Sequence, residues 1–79
     1  MARFLTKKEK SKILELYEAS LSRSKEILAG VVDSLEVVED SESRLVAVSE
    51  ETLGRVEVEV TKDDAGDFVT VSLRVVRNR

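Results

Sequence analysis

The 79-residue sequence contains no cysteine and no histidine. Without cysteine, the chain can form no disulfide, no Cys-ligated zinc site and no thiol nucleophile. Without histidine, it lacks the side chain that most often serves as a general base and that most often binds transition metals. We therefore expect a protein that is not an enzyme and that uses no cofactor, no metal and no small-molecule substrate.

Proline and tryptophan are also absent, and the aromatic residues are limited to two phenylalanines and one tyrosine. Average usage of about 5% would give roughly four prolines in a chain of this length. The combined absences are typical of a designed or idealised sequence, or of a small protein of biased composition. So few aromatic residues also argue against a surface on which nucleic-acid bases could stack.

Long apolar runs are missing as well. No segment approaches the roughly 18 uninterrupted apolar residues of a membrane-spanning helix, and the first residues, MARFLTKKEKSK, lack the apolar core of a signal peptide. We therefore expect a soluble, cytoplasmic protein with no membrane partner. The length predicts a single domain over residues 1–79, whose small core supplies only about 3–5 kcal/mol of stability.

The N-terminal third of the sequence has the pattern of one long helix. Thr6 and Glu9 form a capping box, in which each side chain accepts a hydrogen bond from the other residue's backbone N–H. Gly30 stands where a helix commonly ends in a left-handed residue. The pattern predicts a helix over about 6–29. Its apolar side consists of Ile13, Leu14, Leu16, Tyr17, Leu21, Ile27 and Leu28.

After Gly30 the apolar residues alternate, which is typical of strands. Strands are predicted at 44–49, 56–60 and 68–76. The segment 31–39 has two interpretations, because its apolar residues could also form a helical stripe. Its paired valines favour a strand, since β-branched side chains are restricted in a helix.

The last two predicted strands have a preferred register. If Lys62 faces Asp67 across a four-residue turn, Val60 meets Val69 and Val58 meets Val71. A slip of one residue would place valines opposite threonine and serine, so we expect this register or one that differs by two residues.

The predicted fold class is therefore α+β, with one long N-terminal helix packed on a four-stranded antiparallel meander. This α-β-β-β-β order is similar to that of the cystatin-like arrangement. The resemblance concerns element order only. The glycine-containing hairpin motif of the inhibitors, Q-x-V-x-G, is absent, and the corresponding hairpin has the sequence SEETLGR. We therefore carry over no inhibitory function.

Three aspartates surround one glycine in the segment DDAGD, at Asp63, Asp64, Gly66 and Asp67. A calcium loop of the EF-hand type needs oxygen ligands spread over twelve residues, whereas this segment is much shorter. Aspartate and glycine are also the residues that a hairpin turn requires, because aspartate bonds to nearby backbone and glycine accepts a positive φ. The segment predicts a turn and no metal site.

The net charge is −3, yet basic residues concentrate at the start of the helix and at the C-terminus. Lysines in a first helical turn oppose the helix dipole, which favours anions there, and broken local rules often mark functional sites. An alternative function is therefore a small nucleic-acid-associated or regulatory protein. Its phosphate-contacting patch would consist of Lys7, Lys8, Lys10, Lys12, Arg77 and Arg79.

The function that we favour from the sequence is a non-enzymatic scaffold or protein-interaction domain. The last predicted strand is long, and an exposed edge strand invites pairing with another chain. We therefore expect contact with another protein, or a homodimer, through a sheet edge. Glu57 or Glu59 is expected to meet Arg74 diagonally on the outer face. The candidate partner surface on that face is formed by Phe68, Thr70, Ser72, Arg74 and Val76.

Overall fold

A computed structural model of the protein describes residues 3–17, 22–51 and 54–77. These residues form an α+β fold with an antiparallel sheet, as predicted, but with two α-helices and five strands. The sheet order is β1-β2-β3-β4-β5. Neither α-helix in this part of the chain is long and apolar enough to cross a lipid bilayer. The elements are β1 (Arg3–Phe4), α1 (Lys7–Leu16), α2 (Ser22–Val31), a 3₁₀ turn (Val32–Ser34), β2 (Glu36–Asp40), β3 (Arg44–Glu51), β4 (Gly54–Lys62) and β5 (Phe68–Arg77).

Helix α1 begins at the predicted capping box. The backbone N–H of Glu9 donates to Thr6 Oγ1 at 3.1 Å, and the backbone N–H of Thr6 donates to Glu9 Oε1 at 2.8 Å. Two of the backbone donors that a helix start leaves without partners are thereby satisfied. The start of the helix is thus fixed by local sequence, and this prediction is confirmed.

The prediction of a single helix over 6–29 is wrong. Helix α1 ends at Leu16, and Tyr17 has an extended backbone with φ −69° and ψ 111°. Residues 18–21, including the predicted core residue Leu21, lie outside the described part. Tyr17 belongs to the buried core, at 9% exposure, and its backbone N–H donates to the carbonyl oxygen of Ile13 at 3.0 Å, which closes the last turn of α1.

The predicted end at Gly30 is also wrong, because α2 continues through Gly30 to Val31. Val31 and Val32 are buried, at 7% and 6% exposure, and the hydroxyl of Ser34 donates to the carbonyl oxygen of Val31 at 3.0 Å. Burial of the two valines therefore extends helical structure into the segment predicted as strand 31–39. That segment is helical in its first part and becomes strand β2 only from Glu36.

Strands β3, β4 and β5 confirm the alternating pattern. Val60 lies opposite Val71, Val58 opposite Leu73, and Val56 opposite Val75. This is the second of the two registers that the sequence allowed, two residues from the first. The shift is accommodated by a bulge at Val69, which has no partner because Thr61 faces Thr70 while Lys62 faces Phe68.

Strand β1 was not predicted, because two residues are too few for any alternation to be visible. Arg3 faces Val37, and Phe4 faces Glu36. The Arg3 guanidinium holds this strand in place, donating to Glu9 at 2.8 Å and to Asp40 at 3.0 Å. These bonds lower the pKa of Glu9, chiefly through Arg3. They also lower the pKa of Asp40, where Lys62 has the larger effect and Arg3 the smaller.

The core lies between the helices and one face of the sheet. Its fully buried larger side chains are Ile13, Leu28, Leu35, Leu45, Val58 and Val60. On the opposite face of β3 and β4 the side chains are half-buried, which leaves that face accessible in the described part of the chain. These residues are Val46, Val48, Glu57 and Glu59.

Candidate protein-interaction edge

Strand β5 stands at one end of the sheet order. It pairs with β4 on one side, and no other described strand pairs with its second side. It is ten residues long, and its only charged residue between Phe68 and Val76 is Arg74. Proteins usually protect edge strands with charges, prolines, bulges or short length. In β5 these devices are limited to the charge of Arg74 and to a bulge at Val69, near the start of the strand.

The backbone groups at the second side of β5 can be assigned from one hydrogen bond. The N–H of Lys62 donates to the carbonyl oxygen of Ser43, on the β3 side, at 2.9 Å. Successive residues of an antiparallel strand direct their N–H and C=O groups to opposite sides. The even-numbered residues of β4 therefore bond to β3, and the odd-numbered ones bond to β5.

The same alternation continues on β5. Ser72, which faces Glu59, directs its backbone groups to β4, and Arg74 and Val76 do the same. The intervening residues direct their N–H and C=O groups away from β4. We call these outward backbone groups, of Val71, Leu73 and Val75, the outer edge of β5. No described strand pairs with these hydrogen-bonding groups.

Four of the five predicted partner-surface residues lie on the sheet face away from the helices. Each is exposed. Arg74 lies directly opposite Glu57, and its Nε is 3.3 Å from Glu57 Oε1. The expected ion pair therefore forms straight across the strands instead of diagonally. The four residues are Thr70, Ser72, Arg74 and Val76.

The prediction that Phe68 shares this outer face is wrong. Phe68 is half-buried and packs against the core, on the side of the helices. The reason is the bulge at Val69, whose extra residue reverses the alternation along the strand. Strict alternation from Arg74 backwards places Phe68 on the outer face, whereas the bulged strand turns it inward.

An apolar row lies on the helix side of β5, as the alternation of the sequence predicts. Val71 and Leu73 are half-buried against the core, while Val75 is 47% exposed. These residues also carry the outer-edge backbone groups. The alternating pattern identified their common face. It could not show that β5 is an edge strand, since that depends on strand order.

The aspartate cluster forms the predicted turn. Asp63 Oδ1 accepts hydrogen bonds from the backbone N–H groups of Ala65 at 3.0 Å and Asp67 at 2.9 Å. The N–H of Gly66 donates to the Asp63 carbonyl oxygen, and Gly66 has φ 85°. This is a three-residue hairpin loop with a left-handed glycine. One Asp63 carboxylate oxygen is thereby committed to the backbone of the turn.

The predicted phosphate-contacting residues do not all come together. Lys10 forms an ion pair with Asp33 at 3.0 Å. Arg77 faces Gly54 at the far end of β5. At 3.3 Å per residue, it is about 30 Å from Phe68, which lies near Lys8 and Lys12. Arg79 lies outside the described residues, and Lys7 is exposed on α1.

Lys8 and Lys12 do share a surface feature. They line a groove of about 490 Å³ between α1 and the turn that joins β4 to β5, which also contains Phe68. Acidic groups line the same groove, including Glu15 and Asp67. The positive charge there is therefore offset locally.

A second set of exposed apolar side chains lies at the other end of the sheet. Phe4 is 62% exposed and Val38 is 55% exposed. In β2, the register shifts at Val38, between Val37 and Glu39. These side chains are on short strands, and so they offer fewer backbone groups to a partner than β5 does.

Comparisons with known proteins give no relative. No family model matches the chain, and neither a curated protein nor a solved structure matches it significantly.

Proposed function

We propose that the protein is a non-enzymatic interaction domain that binds an extended segment by strand addition at the outer edge of β5. The observation that carries the proposal is the direction of the backbone groups of Val71, Leu73 and Val75, away from β4 on a long strand with a single internal charge. The partner is a second copy of the chain or another protein.

Backbone pairing alone would give modest affinity. Three outward residues can form six hydrogen bonds, each with a net value of about 0.5–1.5 kcal/mol. Association costs an estimated 4–15 kcal/mol of lost translational and rotational freedom. A stable complex therefore needs apolar contacts as well, and the exposed part of Val75 and its half-buried neighbours can supply them.

A synthetic peptide tests whether the edge accepts a strand. We suggest the β5 sequence FVTVSLRVVR, flanked by lysines for solubility, added to the uniformly ¹⁵N-labelled protein. Hydrogen exchange at the amides of Val71, Leu73 and Val75 should slow when the peptide binds. The amides of Ser72 and Arg74 bond to β4 already, so their exchange should change little.

The control is a peptide in which prolines replace alternate residues, since proline has no N–H to donate to a strand. It should leave all the exchange rates unchanged. The test uses protein diluted until sedimentation shows it to be monomeric, so that a second copy does not already occupy the edge. If the unmodified peptide at millimolar concentration then protects none of the outer-edge amides, strand addition at β5 is refuted.

Contact with nucleic acid is a second candidate that the geometry supports less. It would use Lys8 and Lys12, which are exposed one helical turn apart. Binding of a 20-nucleotide single strand should then weaken steeply between 50 and 200 mM salt, because neutralised phosphates release counterions. The Lys8→Ala/Lys12→Ala variant should lose that binding. No binding at 50 mM salt would eliminate this candidate.

A further inference from the structure

We infer that the occupant of the β5 edge is a second copy of this chain, paired antiparallel about a two-fold axis at Leu73. This inference rests on the proposed function, because it requires that the outer edge can receive a strand. It adds the identity of the partner and the register. The product would be a continuous sheet in which the two β5 strands lie side by side at its centre.

The direction of the backbone groups limits the possible registers. A hydrogen-bonded antiparallel pair requires outward groups on both residues, so odd-numbered residues must face odd-numbered residues. With the axis at Leu73, the Leu73 residues of the two copies face each other. Val71 of one copy faces Val75 of the other, and the reverse pair is equivalent by symmetry. All three outward residues then find partners.

Charge disfavours the neighbouring register centred on Arg74. That register would place the two Arg74 side chains directly opposite each other, and like charges in that position are destabilising. With the axis at Leu73, Arg74 faces Ser72 of the second copy, and each Arg74 keeps its ion pair with Glu57. No like charges meet directly in this register.

The bulge disfavours the register centred on Ser72. That register would require Val69 to pair with Val75 of the second copy. Val69 is the extra residue of the bulge, and a bulge locally disrupts the regular spacing of backbone groups. The Leu73 register confines its hydrogen-bonded pairs to the regular part of the strand, from Val71 to Val75.

Exposure along β5 also fits the antiparallel arrangement. Val71 is half-buried and packs against the core, whereas Val75 is 47% exposed. Both side chains lie on the helix side of the sheet. Pairing about Leu73 places the open Val75 of each copy beside the partly covered Val71 of the other. Each exposed Val75 would thus gain an apolar neighbour, and this contact would occur twice in the symmetric pair.

Distances between spin labels test the register directly. The chain has no cysteine, so a single introduced cysteine gives one labelling site per copy. Thr70 and Val76 are both exposed on the outer face, and each is three residues from Leu73. Thr70→Cys and Val76→Cys should therefore give equal separations between copies, about 20 Å along the strand at 3.4 Å per residue.

Other registers give unequal distances in this experiment. An axis at Ser72 predicts about 14 Å for the label at residue 70 and about 27 Å for that at residue 76, and an axis at Arg74 reverses the order. Either result would overturn the Leu73 register. Equal separations would support it.

A charge substitution identifies the interface independently. Val75→Lys introduces a charge at the paired edge and should raise the dimer dissociation constant at least tenfold in sedimentation equilibrium. Val38→Lys is the matched control, since Val38 is similarly exposed at 55% but lies in β2. It should leave the dissociation constant unchanged. Circular dichroism should show that both variants remain folded. Equal effects of the two substitutions would overturn the assignment to β5.

The failure of this inference is distinguishable from failure of the proposed function. If the chain remains monomeric up to 1 mM while the β5 peptide still protects the outer-edge amides, self-pairing is refuted and strand addition stands. If neither the peptide nor a second copy binds, both are refuted.

Discussion

Replacing Gly54 with alanine should destabilise the protein, although alanine is normally the better residue in a folded chain. Gly54 begins β4 and faces Arg77 at the end of β5. A Cβ at this position would lie 2.3 Å from the carbonyl oxygen of Val76 and 2.9 Å from the Cα of Arg77. Both are backbone atoms, so no side-chain rotation can relieve the contact.

The magnitude follows from the two ways in which the chain can respond. Overpacking that shifts backbone costs about 1–3 kcal/mol. Alternatively, the last residues of β5 can separate from β4, which forfeits the hydrogen bonds of Val76, each about 0.5–1.5 kcal/mol. Replacement of glycine by alanine recovers about 0.4–1 kcal/mol by restricting the unfolded chain. We expect a net loss of about 1–2 kcal/mol for Gly54→Ala.

Urea denaturation followed by circular dichroism measures this loss, and thermal unfolding should show a Tm lower by about 4–16 °C for a domain of this size. Gly30→Ala is the matched control. Gly30 lies within α2. In the described part of the chain, no atom outside the local helix backbone lies within 4 Å of a Cβ built there. Alanine should stabilise the helix at that position by about 0.5–1 kcal/mol.

Opposite signs for the two substitutions are thus the expected result. If Gly54→Ala is neutral or stabilising while Gly30→Ala behaves as expected, the close approach of the Val76 backbone to Gly54 is refuted.

Two further predictions concern the turn and the ion pairs. Asp63→Ala should lower stability by about 1 kcal/mol, because two backbone hydrogen bonds to its carboxylate are lost, whereas Asp64→Ala should change urea denaturation little; equal effects would contradict the turn assignment. The pKa values of Glu9 and Asp40 are lowered in the folded chain. Their contribution to the free energy of unfolding is therefore complete above the usual carboxyl range, and it declines as the pH falls below about 4. Arg3→Ala should reduce the difference between the free energies of unfolding measured from denaturation curves at pH 6 and pH 3. An unchanged difference would show that Arg3 is not responsible.

Local sequence determined the features that depend on neighbouring residues. The capping box at Thr6 and Glu9 sets the start of α1, and Asp63 with Gly66 sets the hairpin turn. In each case the groups that bond are within four residues of one another. The capping box and the turn can therefore be predicted from the sequence, because neither depends on a tertiary contact.

The alternating valines of β4 and β5 predicted strands and limited the register to two possibilities, because a slip of one residue would move apolar side chains to the polar face. The choice between the two was made by the bulge at Val69. That bulge also turned Phe68 inward, and so one of the five predicted partner-surface residues was misplaced.

Tertiary structure decided the remaining features, which join residues distant in sequence. Burial of Val31 and Val32 carried α2 past Gly30, against the local signal for a helix end. Strand β1 exists through its pairing with β2 and through the bonds of Arg3 to Glu9 and Asp40. Position in the sheet likewise made β5 an edge strand. An alternating pattern specifies which side chains share a face, but only the strand order specifies which backbone groups remain available to a partner.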